Sequence, residues 1–115
     1  VDGGHNISSS YVIADWIKSQ TQKVNLVVAM MKDKEHQKFM KSFEGLVNSV
    51  TIIDIPNQDG GISKIEFREK ISNLNFMLKT SDSIGDAIHS NSKDINTITL
   101  VIGSLYLIGE VLNLN

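Results

Sequence analysis

The chain of 115 residues has no cysteine, one proline and one arginine. Without cysteine there is no disulfide framework and no thiolate metal site, a composition compatible with a reducing cytosol. The lone Pro56 and Arg68 accompany abundant Ile, Asn, Lys and Ser, a bias of the source genome without functional meaning. No apolar run reaches the roughly 18 to 20 residues of a membrane span and no signal-peptide pattern opens the chain, so a cytoplasmic location is expected. Eleven basic residues oppose thirteen acidic ones without long runs of either sign, for a net charge of −2. That leaves no electrostatic footprint for nucleic acid or an anionic membrane, and neither is expected as a partner. Also missing are a Gly-x-x-x-x-Gly-Lys-Ser/Thr phosphate loop, a Gly-x-Gly-x-x-Gly turn, a nucleophile elbow and a clustered carboxylate pair. The chain therefore lacks its own means of cradling a triphosphate.

What is present suits one folded domain over residues 1–115, with 41% apolar and 21% charged residues. Short apolar, β-branched runs recur at Val24 to Met30, Val50 to Ile55, Phe76 to Leu78 and Ile98 to Ile102. Runs without polar alternation suit strands buried on both faces. Helical spacing fills the intervals. Ser8, Ser9 or Ser10 can cap a first helix with Val12, Ile13, Trp16 and Ile17 on one face, and Asp33 a second that carries Phe39, Met40, Phe43, Leu46 and Val47. Ser63 with Glu66 fits a capping box for a third, with Phe67, Ile71 and Leu74. Ser81 or Ser83 begins a fourth, with Ile84, Ala87 and Ile88 inward, and Ser104 a fifth, with Leu105, Ile108, Val111 and Leu112. Alternating strands and helices predict an α/β fold: a three-layer Rossmann-like domain with a mainly parallel sheet. Ligands of such folds gather at the carboxyl ends of the strands, which makes Asp2 to Asn6, Met31 to Lys34, Pro56 to Gly61 and Gly103 to Ser104 the candidate positions. The stretch Asn57 to Gly61 reads as a loop within the domain rather than a boundary.

Asp2-Gly3-Gly4-His5-Asn6 packs an acid, two glycines, an imidazole and an amide into a turn before a helix. A strand should precede such a turn, so the chain reads as a fragment of a longer one. The glycines bring main-chain amides close to a ligand, Asp2 can accept hydrogen bonds from ribose hydroxyls, and a protonated His5 can donate to a carboxylate or phosphate. The same residues also make an ordinary tight turn in which Asp2 and Asn6 satisfy backbone amides. Lys32 and Lys34 put two cations at a strand end where an anion would be met, or else stand as solvated residues beside a helix start. Gly103-Ser104 offers a hydroxyl and free amides to an anion, or a plain N-cap. His36 and His89 have no second ligand at metal spacing and are assigned to structure or surface; Trp16 is assigned to the core. No metal site is expected within the chain.

Taken together, Asp2 to Asn6, the block Val27-Val28-Ala29-Met30-Met31-Lys32-Asp33-Lys34-Glu35 and the block Gly103-Ser104-Leu105-Tyr106-Leu107-Ile108-Gly109-Glu110 resemble folylpolyglutamate synthase/dihydrofolate synthase, of the Mur ligase superfamily. The match is to the C-terminal, glutamate-ligase domain. The resemblance implies ATP and Mg2+ as cofactors, the magnesium held mostly by an upstream ATP-binding domain of the same protein that also carries the phosphate loop. It implies activation of a folate or dihydropteroate carboxylate as an acyl phosphate, which L-glutamate attacks. By the same resemblance Asp2 holds the ATP ribose, His5 and Ser104 place the incoming glutamate with His5 as the catalytic group, and Lys32 and Lys34 line the cleft. The fragment alone is expected to be inactive. The alternative is a non-catalytic nucleotide- or glutamate-binding module left by a split gene.

Overall fold

The computed structural model describes residues 7–30, 35–54, 61–93, 96–103 and 107–113. Lys23–Ala29 forms β1, whose residues from Val24 onward are all buried, as a run without polar alternation requires. Around it stand β2 (Ser49–Ile52), β3 (Leu78–Thr80), β4 (Thr97–Gly103) and β5 (Leu107–Asn113), with helices α1 (Ile7–Lys18), α2 (His36–Lys41), α3 (Lys64–Lys70) and α4 (Ile84–Asn91). The sheet order is β3-β2-β1-β4-β5. The first four strands are mutually parallel, and β5 runs antiparallel to β4 along the edge.

Alternation along β1 divides the core. Val24, Leu26, Val28 and Met30 join Ile13 and Ile17 of α1, Phe39 and Met40 of α2, and Phe67 of α3. Val27 and Ala29 point the other way, where they meet Ala87 of α4 together with Ile53 and Val101. Three helices thus cover one face and α4 the other, the expected three layers. Chain direction accounts for this: β1 to β2 to β3 steps one way across the sheet, β3 to β4 steps back, and crossovers of one hand must then change face.

Serine caps formed where local spacing put them. Ser63 Oγ accepts from the Glu66 N–H at 3.1 Å, and Ser83 Oγ, rather than Ser81, accepts from the Asp86 N–H at 3.1 Å. Other expectations are corrected. α1 begins at Ile7, so Ser8, Ser9 and Ser10 lie inside it, and Ser10 Oγ meets Ser42 Oγ at 2.9 Å across to the end of α2. α2 stops at Lys41 instead of continuing to Val47, and its N-cap is Glu35; Asp33 lies outside the described residues. Beyond Lys41 the hydrogen bonds shorten to three-residue steps, Glu44 N–H to Lys41 O and Leu46 N–H to Phe43 O, and the chain turns through Gly45 at φ 79°. Phe43, Leu46 and Val47 still pack on the core, because tight turns serve the same three-residue spacing.

The expected fifth helix is also overturned: 107–113 is β5, paired from Thr97↔Asn113 to Ile102↔Leu107 with an irregularity between Val101 and Ile102. Seven residues with Gly109 among them make a poor isolated helix, and the open edge of β4 offers a full backbone ladder instead.

Candidate functional site

The register aligns the carboxyl ends of the parallel strands on one edge. Ala29 stands opposite Gly103, Val28 opposite Ile52, and Ile52 opposite Thr80. The strand order reverses between β1 and β4, and in open α/β sheets the crevice outside that reversal is where ligands bind. α1 joins β1 through four residues and packs back on it, so it runs antiparallel to β1 and begins toward the same edge.

Asp2, His5, Lys32, Lys34 and Ser104 all lie outside the described residues, as does the loop from Pro56 to Gly60. Their described neighbours are informative. Lys32 and Lys34 follow Met30 at the end of β1, and Ser104 follows Gly103 at the end of β4, so these two segments depart from adjacent strands at the reversal. Asp2 and His5 precede the start of α1. His36 is buried, its ring 5.1 Å from that of Phe67, and His89 is exposed, in line with structural and surface roles. Trp16 packs, half-buried, against the core. Among the described residues no group of three or more His, Cys, Asp or Glu side chains could hold a metal ion.

At the same edge the structure brings together residues that sequence spacing did not single out. Asp54, just past β2, accepts the Lys64 N–H at 2.8 Å. Lys64 Nζ meets Asp82 Oδ1 at 2.7 Å and the Ser81 carbonyl at 3.4 Å, both just past β3. The hydrogen bond from Lys64 holds the Asp82 carboxyl below its ordinary range, and the Asp82 carboxylate raises Lys64, assisted by Asp54. Two residues before Lys64, the buried Ile62 donates its N–H to the Met30 carbonyl at 3.0 Å. The only signal in the sequence was position: Asp54 interrupts the run from Val50 to Ile55, Asp82 lies four residues past Leu78, and Lys64 adjoins a cap. Among the described residues, shallow depressions of about 380 Å³ and about 320 Å³ lie beside Glu35, His36 and Lys70 and beside Tyr11 and Lys41.

An open α/β sheet of this order, its strand order reversing between β1 and β4, defines a Rossmann-like domain. Residues 1–114 match the family model of the dihydrofolate synthetase C-terminal domain, and the chain belongs to that family. A folylpolyglutamate synthase from Thermotoga maritima has the same fold, with a TM-score of 0.78 and 20% identity over 94% of this chain and 25% of that one. So does a bifunctional folylpolyglutamate synthase/dihydrofolate synthase from Yersinia pestis, complexed with AMPPNP and Mn, at TM-score 0.76 and 17% identity over 92% of this chain and 25% of that one. A bifunctional enzyme of the same kind with Mn, AMPPNP and L-glutamate bound matches at TM-score 0.71 and 15% identity, over 90% and 25% of the two chains. The chain thus spans about a quarter of the length of these enzymes. A comparison with curated protein sequences gives no match.

Proposed function

We propose that this chain is the C-terminal domain of a longer, cytoplasmic, ATP-dependent ligase that joins L-glutamate to dihydropteroate or a folate. The reversal of strand order between β1 and β4 carries the reading, because it starts the segments bearing Lys32, Lys34 and Ser104 from neighbouring strands in a chain of the dihydrofolate synthetase family. The γ-phosphoryl group of ATP passes to the acceptor carboxylate, giving an acyl phosphate and ADP. The glutamate amine then attacks the acyl carbon, the amide forms, and phosphate leaves. In this scheme Asp2 accepts hydrogen bonds from the ATP ribose, His5 and Ser104 orient the glutamate, and Lys32 and Lys34 attract its carboxylates. Placement of the amine against the acyl phosphate is the domain's contribution, by proximity and charge. Magnesium and the triphosphate belong to the upstream domain, whose phosphate loop this sequence lacks.

The test is ADP release by the gene product extended upstream, with L-glutamate and either dihydropteroate or tetrahydrofolate. Release that needs glutamate and one acceptor is expected, lowered at least about a hundredfold by His5→Ala, with none from residues 1–115 alone. A folded extended protein with an intact phosphate loop and no release overturns the reading in favour of a non-catalytic binding module. Turnover by the 115-residue chain above its His5→Ala variant overturns the inactivity of the fragment.

A further inference from the structure

Of the four ion pairs among the described residues, three join side chains three residues apart on the surface. Lys64–Asp82 differs: it spans eighteen residues, closes to 2.7 Å, and leaves the lysine side chain only 23% exposed. Its backbone is engaged as well, since the Lys64 N–H is the donor to Asp54. One residue therefore grips the exits of both β2 and β3. The exit of β1 is tied to the same point, through the Ile62 N–H on the Met30 carbonyl. Three strand ends on the ligand edge converge on Ile62 to Lys64.

We infer that Lys64 is a positioning residue for the glutamate-binding crevice, holding through Ile62 the exit of β1 at Met30. The inference rests on the function proposed above. Electrostatics supply the reason. With its ammonium in place, Lys64 compensates two carboxylates, Asp54 and Asp82, one on each neighbouring strand exit. Without the Lys64–Asp82 bond the start of α3 loses its tie to the β3 exit, and the Ile62–Met30 hydrogen bond two residues upstream opens more often.

Two variants separate this role from folding. Asp82→Asn removes the partner at a side chain that is 88% exposed, sparing the core, and Lys64→Met keeps the lysine stem but not its charge. Lys41→Met, which deletes the exposed pair with Glu44, is the control for lost charge. In the 115-residue chain, amide exchange at Ile62 is expected to rise about tenfold in Asp82→Asn and Lys64→Met, with Val27 unchanged. In the upstream-extended enzyme the same variants are expected to raise KM for L-glutamate about tenfold with kcat within about twofold. Lys41→Met leaves both readouts at wild-type values. Exchange at Ile62 equal to that of Lys41→Met, or a wild-type KM in an active enzyme, overturns the inference while the ligase reading stands. An extended wild type without glutamate-dependent turnover overturns the ligase reading, and with it the crevice role, while the exchange comparison still decides whether Lys64 holds the β1 exit.

Discussion

Phe67 is fully buried on α3, its ring tilted by 48° against that of His36 on α2. Truncating it opens a cavity between two helices and the sheet, in a domain whose whole stability is of the order of 5–15 kcal/mol. Phe67→Ala is expected to cost about 3–5 kcal/mol, read as a lowered urea midpoint at unchanged slope. Its burial was legible because Phe67, Ile71 and Leu74 repeat at three- and four-residue steps behind a serine cap, although α3 itself ends at Lys70, before the last two. The polar side chain of Asn25 was not so legible. It interrupts an apolar run, yet it is buried, with Oδ1 accepting from Ser49 Oγ at 2.8 Å and Asn48 Nδ2 at 2.9 Å. Those partners come from the next strand, and only the β1–β2 register, Asn25 opposite Ser49, brings them there.

Among elements, the joint between the turn after α2 and the approach to β3 rests on Glu44. One carboxylate oxygen accepts the Asn75 N–H at 2.6 Å while the other meets Lys41 Nζ at 3.5 Å. The Asn75 hydrogen bond, helped by Lys41, holds the Glu44 carboxyl below its ordinary value of 4.5. A depressed folded-state value stabilises the fold above the unfolded value, and that stability is lost as pH falls through the lowered one. Asp82 acts in the same direction below its ordinary 3.8, whereas the raised Lys64 stabilises below about 10.5 and is lost only at higher pH. Glu44→Gln is therefore expected to lower the urea midpoint at pH 7, with the gap to wild type closing as pH falls below about 4.5; a gap that stays constant into acid excludes this account. Element type followed the same divide between near and far. The caps at Ser63 and Ser83 are set by neighbours three residues away, whereas β5 takes its form from β4 and defeats a spacing that suits a helix equally well.

For the whole molecule, the Cα radius of gyration is 12.8 Å, close to the roughly 13 Å of a single domain of this length. β1 touches both core clusters, so neither face can lose its packing alone. One cooperative unfolding transition is expected, with the fluorescence of the sole tryptophan, Trp16, coinciding with far-UV circular dichroism; separated midpoints exclude it. The sequence by itself determined the α/β class, four of the five strands and the serine caps of α3 and α4, since periodicity and capping act within a few residues. The family was likewise legible in three short blocks, which the match over residues 1–114 bears out. Only the tertiary structure decided the order β3-β2-β1-β4-β5, the strand at 107–113, the early end of α2, and the meeting of Asp54, Lys64 and Asp82. Those depend on which distant backbone edges and charges meet once the chain has collapsed, and such pairings leave no periodic trace along it.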